Sequence, residues 1–86
     1  MTNQSNDQSL ESLEGVVQRV AFVNGFFSIN RVNVSSSSFV LAEKEIDVVG
    51  HFGRLQAGHA YRFLGHFKRN PRHQWQFVAT SYRHLN

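Results

Sequence analysis

The sequence predicts an all-β domain closed into a small barrel of five strands. Three observations carry this. Val, Phe, Ile and Tyr fall in short runs with no helical period, the runs are separated by Gly, Asn, Ser and Pro, and five of them fit between Gly15 and Tyr82. Closure removes the unpaired edges that such Val-rich strands otherwise expose. At 86 residues, 41% of them hydrophobic, the chain is long enough for one compact core and no second.

The first strand is the run Gly15 to Val23, and Asn24-Gly25 after it is a tight-turn dipeptide because both residues tolerate positive φ. The second spans Phe27 to Val34. Ser35 to Ser38 then form a loop tip, or the end of a long hairpin whose return arm is Phe39 to Leu41. Ile46 to Val49 is the third strand, closed by Gly50, and the link Gly53 to Gly58 has room for a turn. In the fourth strand Tyr61, Phe63, Gly65 and Phe67 face one side, with Gly65 marking a sharp bend of the kind a barrel needs. Asn70-Pro71 forces a turn, since Pro71 fixes φ and biases Asn70 away from helix. The fifth strand runs Trp75 to Tyr82, with Phe77 and Ala79 inward. An OB-fold fits this strand count best, and an SH3-like barrel is the alternative. Residues 1–12, with only Met1 and Leu10 as large apolar groups, are expected to be a disordered acidic tail, and 13–84 the domain.

Charge is split along the chain. Residues 1–14 hold Asp7, Glu11 and Glu14 and no Lys or Arg, whereas residues 50–86 hold Arg54, Arg62, Lys68, Arg69, Arg72 and Arg83 and no acid. Aromatic residues lie between those cations. A concentrated positive field beside flat π-faces suits a partner with a phosphate backbone and bases to stack, which is single-stranded nucleic acid. The absence of Cys excludes disulfides and thiolate zinc sites, and with the polar, acidic start and no long apolar run it points to a cytoplasmic chain that does not engage a membrane.

OB-folds usually bind on the face of strands two and three, framed by the loop after strand one and the loop between strands four and five. The second of those loops is basic: Lys68, Arg69, Arg72 and His73 surround Pro71, with Trp75 just beyond. These five are the first candidates for nucleic-acid contact. On the other loop, one of Phe26 and Phe27 is expected in the core, and Phe26 is the one assigned to stacking. Arg31, Arg54 and Arg62 complete the candidates as backbone contacts. Phe52, Phe63, Phe67 and Phe77 fall on the alternating inward face and are assigned to the core. The histidine spacing has no face-specific meaning in strands, so no metal site is assigned. No Gly-x-Ser-x-Gly turn supplies a nucleophile, so no catalytic residue is assigned.

The ordered set Leu13-Glu14-Gly15-Val16-Val17, Arg31-Val32, Val48-Val49-Gly50-His51-Phe52, Gly58, Gly65-His66-Phe67, Asn70-Pro71-Arg72-His73, Gln76-Phe77 and Tyr82 resembles the N-terminal OB domain of RecD-like ATP-dependent DNA helicases, relatives of the exodeoxyribonuclease V alpha subunit. The chain departs from the family in a shorter first turn with Phe26 in place of a usual Gly, a longer second hairpin, and Gln74 in place of a usual turn Gly. The resemblance implies a module of a helicase that acts in DNA repair and recombination. It also implies that ATP and Mg belong to motor domains and not to this one. The chain has no GxxxxGK[ST] loop and so no phosphate cradle of that kind.

Two readings follow from the sequence. One is a non-catalytic module, excised or stand-alone, that grips single-stranded DNA through the basic-aromatic hairpin. The other is a docking module that packs on helicase motor domains or a repair protein without touching DNA, through outward apolar residues Leu64, Val78 and Tyr82.

Overall fold

The computed structural model describes residues 10–85. Five strands follow in order: β1 (Glu11–Asn24), β2 (Phe27–Ser37), β3 (Glu45–His51), β4 (Ala60–Arg69) and β5 (Trp75–His84). They close in the order β1-β2-β3-β5-β4, with β3 and β5 parallel and every other pair antiparallel. The parallel β3–β5 seam decides between the two predicted barrels, because it places β5 beside β3 as an OB-fold requires, whereas an SH3-like meander would not. β1 serves two neighbours. Glu11 to Val16 pair with β4, and the strand continues along β2 to Asn24.

β1 begins two residues before Leu13, so Glu11 and Ser12 belong to the barrel and not to a tail. Glu11 has a structural reason to be there, since its carboxylate accepts a hydrogen bond from the Phe67 N–H at 2.9 Å. The rest of the predicted tail, residues 1–9, lies outside the described residues. β2 runs three residues past its predicted end, into Ser37, and the serines pair with Leu13 and Glu14.

The inward residues of the five strands make one core: Leu13, Val17, Val32, Ile46, Val48, Tyr61, Phe63, Phe77 and Ala79 are buried. Leu55, from the β3–β4 link, plugs one end at 4% exposure. Tyr61 ties that link down by accepting the Gln56 N–H on its hydroxyl at 3.0 Å. Phe63 and Phe77 are fully buried, and Phe52 and Phe67 pack against the cluster, as the alternation predicted.

Gly65 is the bend. A Cβ there would run into the Val78 carbonyl and the Ala79 backbone, and a bulge displaces the β4–β5 register beside it. The bulge has a consequence further on. Alternation alone puts Tyr82 outside, but Thr80 is the extra residue, so Tyr82 pairs with buried Phe63 and its ring packs on Phe52 at 5.0 Å. Of the predicted outward apolar trio, Tyr82 is 45% exposed at the barrel end where it packs on Phe52, while Leu64 and Val78 are half-buried on the outer side of the sheet.

The first turn also differs from its prediction. Asn24 still pairs with Phe27, so the two central residues are Gly25 and Phe26, with positive φ at Gly25 alone. That is the type II′ pattern, which asks for Gly first and lets the next residue be bulky. Phe26 is tolerated there for that reason.

Candidate nucleic-acid interface

The β4–β5 hairpin is built around Asn70. Its side-chain oxygen accepts the Arg72 and Gln74 N–H groups at 2.9 and 3.0 Å, and its carbonyl accepts the His73 N–H at 2.8 Å. With Pro71 next, this is the residue order a type I turn favours. His73 then takes φ 65°, the left-handed conformation needed to rejoin β5. His is among the residues found there more often than most, so the turn does without a Gly at position 74.

The turn projects its cations outward. Lys68, Arg69, Arg72 and His73 are all exposed, and among the described residues no carboxylate pairs with Lys68, Arg69 or Arg72. Arg69 is held in place without being neutralised: its guanidinium lies 4.5 Å over the Trp75 ring and donates to the His73 carbonyl at 2.9 Å. A guanidinium has five N–H donors, so most of them stay free for a phosphate. Trp75 is 40% exposed but is not a bare platform. Arg69 covers one side of it and Phe39 packs against it at 5.4 Å, with Phe39 in turn stacked on Phe67 at 4.8 Å. Phe39, from the loop before β3, braces the hairpin on the core, a role the sequence reading did not assign.

The outer faces of β2 and β3 lie between the hairpin and the first turn. Ser28 and Asn30 point into the barrel and are fully buried, with the Asn30 amide donating to the Ser28 hydroxyl at 3.1 Å. The alternate residues Phe27, Ile29 and Arg31 therefore face out. This corrects the expectation that Phe27 enters the core. Its ring meets Phe22 edge-on at 6.3 Å and His51 at 5.4 Å, and Phe26 beside them is 77% exposed. Register continues the apolar row sideways, from Phe22 through Ile29 and Val49 to Val78. Arg54 joins this end of the barrel, because the adjacent Gly53 N–H donates to the Phe26 carbonyl at 2.7 Å. From Phe27 to Asn33 the strand covers about 20 Å, so the aromatic end and the cationic hairpin stand at opposite ends of one open face.

The three single arginines separate in their surroundings. Arg54 is exposed and forms no ion pair among the described residues. Arg31 is on the face, but Glu45 at 3.4 Å and Asp47 at 3.2 Å hold its guanidinium. Arg62 is misplaced for the same surface. β4 stands two strands away from both β2 and β3, and Arg62 pairs with Glu14 at 3.1 Å. It is withdrawn from the candidate contacts, since strand order puts it on the far wall.

Among the described residues no three His, Asp or Glu side chains converge as a metal site, and no helix is long and apolar enough to cross a membrane. No solved structure matches the chain. The family model described as the ATP-dependent DNA helicase YrrC, OB-fold domain, matches residues 10–86, a range that begins one residue before β1. With the closed barrel and its parallel β3–β5 seam, that match establishes that the chain belongs to the family of OB-fold domains of the ATP-dependent DNA helicase YrrC.

Proposed function

We propose that this domain is a non-catalytic nucleic-acid-binding module that grips single-stranded DNA for a RecD-like helicase working in repair and recombination in the cytoplasm. The observation that carries the reading is the hairpin tip, where Lys68, Arg69 and Arg72 stand exposed and unpaired by carboxylate among the described residues. A strand laid across β2 and β3 would meet those cations and His73 at one end. Phe26, Phe22 and Phe27 would receive bases at the other, with Arg54 beside them. Trp75 acts mainly by orienting Arg69. ATP and Mg are assigned to motor domains, and the partners of this module are the single strand together with those domains or a repair protein.

Affinity of this kind depends on salt. With about three to five phosphates neutralised, log K against log salt falls with a slope of about −2 to −3.5 on a single strand. Fluorescence anisotropy of a labelled oligo-dT across a salt series measures it. A slope near zero removes the proposal.

A further inference from the structure

The single-strand reading gives no part to the serine run or to the loop that follows it, and this inference rests on that reading. The run is not a free tip. The Ser12 N–H donates to the Ser38 hydroxyl at 2.9 Å, and the Ser38 N–H donates to the Ser12 carbonyl at 3.0 Å, which ties the start of the loop to β1. The Ser37 hydroxyl donates to the Phe39 carbonyl. Phe39 therefore leaves a fixed point. Its chain neighbour Val40 is 95% exposed whereas Phe39 is half-buried, so only one of these two apolar side chains is drawn onto the barrel.

Five side chains then stand in a row from the core to the hairpin tip. Phe77 is fully buried and meets Phe67 edge-on at 4.7 Å, Phe67 carries Phe39 stacked at 4.8 Å, and Phe39 packs against Trp75 at 5.4 Å. The Arg69 guanidinium ends the row, 4.5 Å from the Trp75 ring centre. An unsupported arginine on a surface samples many rotamers, and a phosphate that binds it must stop that motion, which subtracts from affinity. A guanidinium already seated on a π-face avoids much of that loss. The ring confers this only if it is itself held. Trp75 lies at the partly exposed start of β5, and Phe39 holds it from the barrel side.

We infer that Phe39 is a positioning residue for strand binding, which acts through Trp75 to hold the Arg69 guanidinium at the hairpin tip. It does so without touching the strand. The test uses Phe39→Leu and Phe39→Tyr in the whole chain, each with and without Arg69→Gln, with labelled oligo-dT as the probe. Phe39→Leu should weaken binding about two- to tenfold, the cost of immobilising one long side chain. The factor should be the same at every salt concentration because no phosphate contact is lost, whereas Arg69→Gln should flatten the slope by about 0.7. In the Arg69→Gln background Phe39→Leu should cost nothing further. Phe39→Tyr keeps the ring and should bind as the unaltered chain does. Trp75 is the one tryptophan of the chain, so its emission reads the same link and should move to longer wavelength in Phe39→Leu but not in Phe39→Tyr. If Phe39→Leu melts below the assay temperature, Phe39→Met takes its place, since it too is apolar and has no ring. Unchanged affinity in Phe39→Leu, or an equal loss with and without Arg69→Gln, overturns the positioning role and leaves the hairpin clamp standing. So does unmoved Trp75 emission. If Arg69→Gln keeps full affinity and slope, Arg69 leaves the clamp and the inference falls with it. Failure of the unaltered chain to bind oligo-dT overturns the clamp itself, and the positioning role too.

Discussion

Neutralising the hairpin cations tests the whole electrostatic argument in one variant. Lys68, Arg69 and Arg72 are exposed and unpaired by carboxylate among the described residues, so each is free to displace one counterion from a bound strand. Three single-strand phosphates contribute about −2.1 to the salt slope, so raising salt from about 50 to 200 mM should weaken binding about 20-fold through these residues alone. Changing all three to Gln should flatten the slope by about that amount, with little change in melting temperature because none is buried. Arg62→Gln is the internal control. Its guanidinium lies on Glu14 on the far wall, so the slope should not move. Anisotropy titrations of oligo-dT across the salt series read both. A triple variant that keeps the full slope, or an Arg62→Gln that loses as much, would show that the strand lies elsewhere on the barrel.

Three further outcomes follow from the same geometry. Phe26→Ala should weaken single-strand binding by about 1 to 3 kcal/mol, the worth of one stacked base, while a ring 77% exposed on a tight turn leaves the melting curve in place. Gly65→Ala should cost about 1 to 3 kcal/mol in a urea melt, because the new methyl meets β5 backbone rather than a movable side chain. His73→Gly should stabilise by about 1 kcal/mol in the same melt, since the residue at φ 65° no longer carries a Cβ into the left-handed region. An unchanged or lower midpoint there would mean that the His73 side chain contributes more than the strain it carries.

Local chemistry was legible wherever the cause is local. Asn70-Pro71 announced the hairpin because both residues restrict their own backbone, and Gly65 announced the bend because large residues surround it in the chain. The inward face of β4 was readable through Phe67, since the extra residue of the bulge beside Gly65 lies on β5 and leaves the alternation of β4 intact. The readings that failed turned on tertiary placement. Polar Ser28 and Asn30 take the inward places of β2 and leave Phe27 outside, and the β5 bulge at Thr80, which has no sequence mark, brings the still exposed Tyr82 beside Phe52 at the barrel end. Arg31 and Arg62 read as free cations because their partners arrive from other strands, Asp47 sixteen residues and Glu14 forty-eight residues away in the chain.

The amino-acid order by itself determined an all-β domain, five strands, a basic hairpin and a likeness to helicase OB domains, because periodicity, turn chemistry and composition are properties of neighbouring residues. Tertiary structure alone decided which cations remain free, which aromatic rings face solvent, and that carboxylates before and within β3 line a cleft beneath the hairpin. Closing the barrel brings residues from distant strands within bonding range, and ion pairing and exposure are set by those encounters rather than by position along the chain.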